Sequence, residues 1–100
     1  MEIERTHIVR SLTGRDRGRV FLVWDTEGDF LLLVDGKTRG VEAPKKKRRK
    51  HAQLLDALNT PLKDKLLRGD QVFNSEIRKA LSPYAESADT SIGGSLLGER

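Results

Sequence analysis

Two groups of residues carry the chemistry legible in this chain. One is the charged loop Gly14-Arg15-Asp16-Arg17-Gly18, and the other is the basic run Lys45-Lys46-Lys47-Arg48-Arg49-Lys50 closed by His51. Guanidinium and ammonium groups so placed neutralise phosphates, and the counterions they displace make such binding steeply salt dependent. Glycine at both ends of the first group lets the backbone turn tightly and approach a partner closely. Arg15, Arg17 and Arg19 are then the side chains projected toward phosphate. Each group also has a plainer reading: the loop suits a solvated hairpin with an internal Asp–Arg pair, and the run suits a solvated linker. The stretch Pro44–Lys50 further suits a receptor-read nuclear import signal.

The rest of the composition narrows the chemistry. Lys and Arg number 19 against 15 Asp and Glu, but outside Lys45–Lys50 only 13 bases face those 15 acids. The basic character is therefore local, as a binding patch produces it. The absence of cysteine excludes disulfides, thiolate metal sites and thiol nucleophiles. His7 and His51 are the two imidazoles, and no spacing of carboxylates around them argues for a metal. His51 reads as a continuation of the phosphate-contacting run and His7 as an ordinary strand residue. The serines lack any nucleophile signature, and Walker-type and dinucleotide glycine patterns are absent. A chain of 100 residues buries only about 60 to 65 percent of its unfolded surface, which leaves little room for a catalytic cleft. The expectation is a noncatalytic protein without cofactor. The opening Met1-Glu2-Ile3-Glu4-Arg5 does not read as a signal peptide and no apolar run spans a bilayer, so the setting expected is cytoplasmic and away from membranes.

These groups need a scaffold, and the pattern around them predicts a mainly β one. Ile8 to Leu12, Arg19 to Trp24 and Phe30 to Val34 read as strands from their Val, Ile and aromatic content and the turn residues between them. Asp35-Gly36 signals a hairpin, because a type I′ turn needs positive φ at both central residues; it pairs Phe30–Val34 with a fourth strand at Lys37–Glu42. Ala52–Leu55 is the candidate fifth strand, though Ala52–Leu58 also suits a short helix. Together they predict a small antiparallel barrel or curled sheet over residues 1–58. Beyond Asn59-Thr60-Pro61, a helical extension over 59–85 is expected. Leu62–Arg68 forms one helix stopped at Gly69, and a second runs from Asn74 or Ser75 through Leu81, ended by Ser82-Pro83. Residues 86–100 are rich in Ser, Gly and small residues, and predict a disordered tail.

Three stretches occur in an order that carries a resemblance. Val9-Arg10-Ser11-Leu12-Thr13-Gly14-Arg15-Asp16-Arg17-Gly18-Arg19 is followed by Val34-Asp35-Gly36-Lys37-Thr38-Arg39, then by Pro44-Lys45-Lys46-Lys47 and Lys50-His51. This resembles the KOW-domain RNA-binding proteins, and more narrowly the bacterial proteins related to a KOW-containing large-subunit ribosomal protein of archaea and eukaryotes. The resemblance covers roughly residues 5 to 55. It implies an SH3-like five-stranded barrel whose loops bind structured RNA, typically ribosomal, with ribosomal proteins as neighbours. Gly14, Gly18 and Gly36 would shape the loops and Arg15, Arg17 and Arg19 would face RNA. Lys37, Arg39, Lys45, Lys46, Lys47, Arg48, Arg49, Lys50 and His51 would extend that surface. Arg48 departs from the family pattern, where a polar Asn is expected. KOW domains also serve protein partners, so an adaptor binding a ribosome or transcription factor is the alternative expectation.

Overall fold

A computed structural model describes residues 2–92, with side chains to residue 84. Five strands form in chain order: β1 (His7–Ser11), β2 (Val20–Glu27), β3 (Phe30–Val34), β4 (Lys45–Arg48) and β5 (Ala52–Ala57). A single 3-10 turn over Arg49–His51 separates β4 from β5, and helices α1 (Pro61–Arg68) and α2 (Asn74–Ile92) follow. The strands make one antiparallel sheet in the order β4-β3-β2-β1-β5. Its two end strands do not pair with each other, so the sheet is not closed.

The centre of the sheet is β2, whose Val20-Phe21-Leu22-Val23-Trp24 is suited to a pleated, buried surface. The first part of β2 pairs with β1, Ile8 opposite Leu22 and Arg10 opposite Val20. Its second part pairs with β3 from Leu22 opposite Val34 to Glu27 opposite Phe30. The register shifts between Val23 and Asp25. Trp24 is thus the extra residue of a bulge, which bends the strand and raises its twist.

Alternation divides the apolar side chains between two faces. Val9, Phe21, Val23, Leu31 and Leu33 gather with Ile3 on one face. Ile8, Val20, Leu22 and Val34 gather on the other with Leu58, Leu62, Leu66, Val72, Ile77 and Leu81. Both faces of β2 are therefore covered, which explains a run of consecutive rather than alternating apolar residues. The helices share an apolar cluster with the strands. Pro61 opens α1 and Gly69, with φ of 80°, ends it by donating its N–H back to that helix, as the leucine spacing predicts. The Lys65–Glu76 ion pair, at 2.7 Å, ties α1 to α2. Among the described residues no helix is long and apolar enough to cross a membrane.

Four expectations are corrected. Residues 37–42 form no strand: Gly36 has φ of 76°, but Asp35, the other central residue, does not share the positive φ that a type I′ turn requires. The carboxylate of Asp35 instead accepts from the N–H groups of Lys37 and Arg39 and from the Thr38 hydroxyl, drawing the chain into a compact loop. The fourth strand is the basic run itself, so Lys45–Arg48 is neither a linker nor a loose arm. Pro83 does not end the second helix but lies inside it. Its exposed ring removes one ladder donor, while Ala80 and Tyr84 continue the apolar packing and the Tyr84 hydroxyl donates to Asp56 at 2.6 Å. The stretch 86–100, expected to be disordered, is helical over residues 86–92; residues 93–100 lie outside those described. Ala52–Ala57 is a strand and not a helix, as its first reading has it.

Candidate functional site

The loop between β1 and β2 is built from short backbone hydrogen bonds. Ser11 and Arg19 close its neck, Ser11 N–H to Arg19 O at 2.9 Å and Gly18 N–H to Ser11 O at 2.8 Å. Within it, Arg17 N–H reaches Gly14 O and Arg19 N–H reaches Asp16 O. Gly14 and Gly18 have φ of 84° and 88°, a left-handed geometry that costs an L side chain about 1–2 kcal/mol. This path turns Asp16 inward and leaves Arg15, Arg17 and Arg19 exposed.

Asp16, 7% exposed, meets the basic run beneath the loop. Its Oδ1 accepts from Ser11 Oγ at 2.7 Å and from Lys47 Nζ at 3.0 Å. The Lys47 ammonium also donates to Ser11 Oγ and Thr13 O, both at 2.8 Å, which satisfies its three protons. Oδ2 is buried without an aligned hydrogen bond, and the Lys45 ammonium, 3.0 Å away, supplies its compensation as charge. Burial pushes the Asp16 carboxyl up, but the contacts from Ser11, Lys45 and Lys47 outweigh it and hold the group well below the usual carboxylate range. The arrangement follows from strand alternation: Lys45 and Lys47 lie opposite Leu33 and Leu31, and so share the face of the apolar cluster.

The rest of the basic run is dispersed. Lys46 and Arg48 point the other way and flank the Phe30 ring, at 4.9 and 5.0 Å from its centroid, and Lys46 pairs with Glu27 at 3.4 Å. Arg49 reaches back to Gly28 O at 2.7 Å and Ile3 O at 2.5 Å. Lys50 is exposed, while half-buried His51 accepts the Leu12 N–H through its carbonyl. Arg48, Arg49, Lys50 and Asp29 line a cavity of about 350 Å³.

The second exposed group is the loop after β3. Asp35 holds it from within, its Oδ1 taking the N–H groups of Lys37 and Arg39 at 2.8 Å and its Oδ2 the Thr38 hydroxyl at 2.7 Å. Burial raises the Asp35 carboxyl, yet these bonds, with the Thr38 hydroxyl foremost, leave it lowered. Lys37 and Arg39 are exposed. Arg19 donates to Thr38 Oγ1 at 3.3 Å, so the two loops adjoin. These two loops carry five exposed cations, Arg15, Arg17, Arg19, Lys37 and Arg39. None forms an ion pair with a described residue.

The sequence pattern identified those five cations, but not the inward turn of Asp16, Ser11, Lys45 and Lys47. The signal was the period of two in β4, legible only once the run is read as a strand. Neither loop contains an aromatic residue. Phe21 is buried and Trp24 packs on the helical-side cluster. Among the described residues no group of three His, Asp or Glu side chains is gathered to hold a metal ion. No family model matches the chain, and no curated protein matches it.

Proposed function

We propose that the chain is a noncatalytic RNA-binding protein of KOW type, its curled sheet an SH3-like barrel, docking on structured RNA of the ribosomal kind in the cytoplasm. The observation that carries this reading is the set of five exposed cations on two adjoining loops, none neutralised by a described acid. Phosphate is the ligand chemistry such a surface fits: guanidinium forks match its oxygens, and each contact releases a counterion. The lack of an aromatic on either loop favours folded RNA presenting backbone over unpaired strands, which bind by stacking. The ordered resemblance of residues 9–19, 34–39 and 44–51 to KOW proteins supports the same assignment. Arg48 and Lys50 extend the surface in this reading, whereas Lys45 and Lys47 serve it from beneath.

The test is fluorescence anisotropy of the intact chain with folded ribosomal RNA fragments across salt. Five phosphate contacts predict a log-log slope of roughly −3.5 to −4.5. Replacement of Arg15, Arg17, Arg19, Lys37 and Arg39 by Gln abolishes binding without unfolding the protein. A slope near zero for the unmodified chain sinks the proposal. A protein-adaptor role is the second reading, favoured by Leu67 and Phe73, which are more than half exposed on the helical segment. A stoichiometric protein partner retained after thorough nuclease treatment would select it.

A further inference from the structure

The RNA reading gives the helical segment no part to play, yet α2 is where the second cationic loop is fastened. Arg78 Nη1 donates to Gly36 O at 2.6 Å. Asn74 accepts the Val41 N–H on its Oδ1 at 2.9 Å and donates from Nδ2 to Glu42 Oε1 at 3.3 Å. These contacts bracket Lys37 and Arg39 on both sides. Gly36 is buried, and a Cβ added to it would lie 2.3 Å from the Asn74 carbonyl oxygen. Loop and helix backbones are therefore in direct contact, which only glycine permits here.

Asp35 sets the internal shape of this loop, but its direction relative to the sheet comes from outside. Ile77, between the two α2 contacts, is fully buried in the cluster that contains Val34, at the end of β3. The helix is thus fixed on the sheet, and the loop inherits that placement. We infer that Asn74 and Arg78 are positioning residues for RNA: they hold Lys37 and Arg39 in line with Arg15, Arg17 and Arg19 so that all five meet one phosphate backbone. The inference rests on the RNA reading and assigns the helical segment to the same site. Its physical basis is preorganisation, since a loop already ordered does not lose that freedom on binding.

Arg78 is itself exposed and cationic, so a direct phosphate contact is the competing explanation, and the two have different signatures. The experiment uses the intact chain with Arg78→Met, and separately with Gly36→Ala, which displaces the loop without changing any charge. Amide hydrogen exchange is followed by NMR in the free protein, and anisotropy is measured with a folded RNA hairpin across salt. Bracing predicts faster exchange at Gly36 and Val41 with Val9 and Phe21 unchanged. It also predicts about tenfold weaker binding at an unaltered salt slope, from added loop-ordering cost. In a Lys37→Gln, Arg39→Gln background, Arg78→Met then has no further effect, because the residues it positions are gone. Unchanged exchange at Gly36 and Val41 overturns the brace. So does an additive loss in the double background with a slope shallower by about 0.9, the mark of a direct contact. Failure of the unmodified chain to bind the hairpin overturns the RNA reading instead, and the exchange data separate the two failures.

Discussion

The loop at residues 12–19 and the loop at residues 35–39 stand side by side and present the same chemistry, but they are fastened differently. The first is anchored by buried charge: Asp16 turns inward onto Lys47 and Lys45, which are delivered by β4, an edge strand that pairs with neither β1 nor β2. The second folds around Asp35 through uncharged donors, and is then held from behind by Asn74 and Arg78 of α2. A buried ion pair is demanding, since removal of one partner strands the other in a medium that solvates it poorly. Contacts to backbone groups are individually weaker, but here they are backed by the packing of a whole helix. The first loop should therefore fail through single charges, and the second through anything that moves the helix or the turn.

The largest effect is expected at Lys47. Lys47→Met leaves Asp16 buried with only Lys45 and Ser11 beside it and should cost about 3 kcal/mol, a fall in Tm of roughly 15 °C for a domain of this size. Lys46→Met, one residue earlier but on the other face and paired with Glu27 where both are more than half exposed, should cost at most about 1 kcal/mol. Thermal unfolding of the two variants measures the difference between faces of one strand. Equal losses would mean that Lys47 is not the anchor of the first loop.

Glycine substitutions sharpen the contrast between loops. Gly36→Ala combines a left-handed φ with a Cβ only 2.3 Å from Asn74 O, and should cost about 2 kcal/mol or more. Gly18→Ala has the same kind of φ but nothing within 4 Å of the new methyl, so about 1 kcal/mol of backbone strain is expected. Chemical denaturation gives both values, and a Gly18 loss as large as that at Gly36 would argue against direct contact between the second loop and α2.

Acid separates the two anchors at their carboxylates. Both Asp16 and Asp35 are held below the usual carboxylate range in the fold, so each contributes its full stabilisation above the unfolded value, about pH 3.9. As pH falls below that, the unfolded chain takes up protons first and stability declines toward the folded pKa values. Asp35→Asn keeps an oxygen for the Lys37 and Arg39 N–H groups, and at pH 7 should cost about 1 kcal/mol or less. Asp16→Asn deprives two lysines of their counter-charge and should cost about 2 kcal/mol. Urea unfolding at pH 7 and at pH 3 should show the Asp16→Asn deficit shrinking in acid, as the parent protein loses the same interaction.

Much of this plan was legible in the residues. The first three strands follow from β-branched and aromatic content and turn residues, α1 from leucine spacing and Gly69, and the cations of both loops are visible as cations. The fifth strand, Ala52-Gln53-Leu54-Leu55-Asp56-Ala57, follows only from the need to complete the sheet, since its residues suit a helix as well. What was hidden has a common cause. The strand β4 contains no apolar residue; as an edge strand it carries Lys46 and Arg48 outward, and its inward lysines are neutralised by a carboxylate more than 25 residues earlier. No local hydrophobic pattern announces such a strand, and the charge density of the run favours a solvated reading. Asp35-Gly36 misdirects in a related way, because the Asp35 side chain captures the donors that a hairpin ladder would use. Pro83 stops a helix only when nothing beyond it packs, and Tyr84 does.

The smallest effects on stability bear most directly on whether the loops act together. Arg15, Arg17, Lys37 and Arg39 are exposed and make no ion pair with a described residue, so exchange of any one for Gln should change unfolding free energy by no more than about 0.5 kcal/mol. Each should nonetheless lower the salt slope of RNA binding by about 0.7 to 0.9, one phosphate contact apiece. If Arg15→Gln and Arg17→Gln reduce the slope while Lys37→Gln and Arg39→Gln leave it unchanged, RNA meets only the loop anchored by buried charge, and the α2 contacts serve the fold alone. Equal reductions from both loops would mean that a buried ion pair and a distant helix converge on one phosphate-binding surface, each securing cations that the other does not touch.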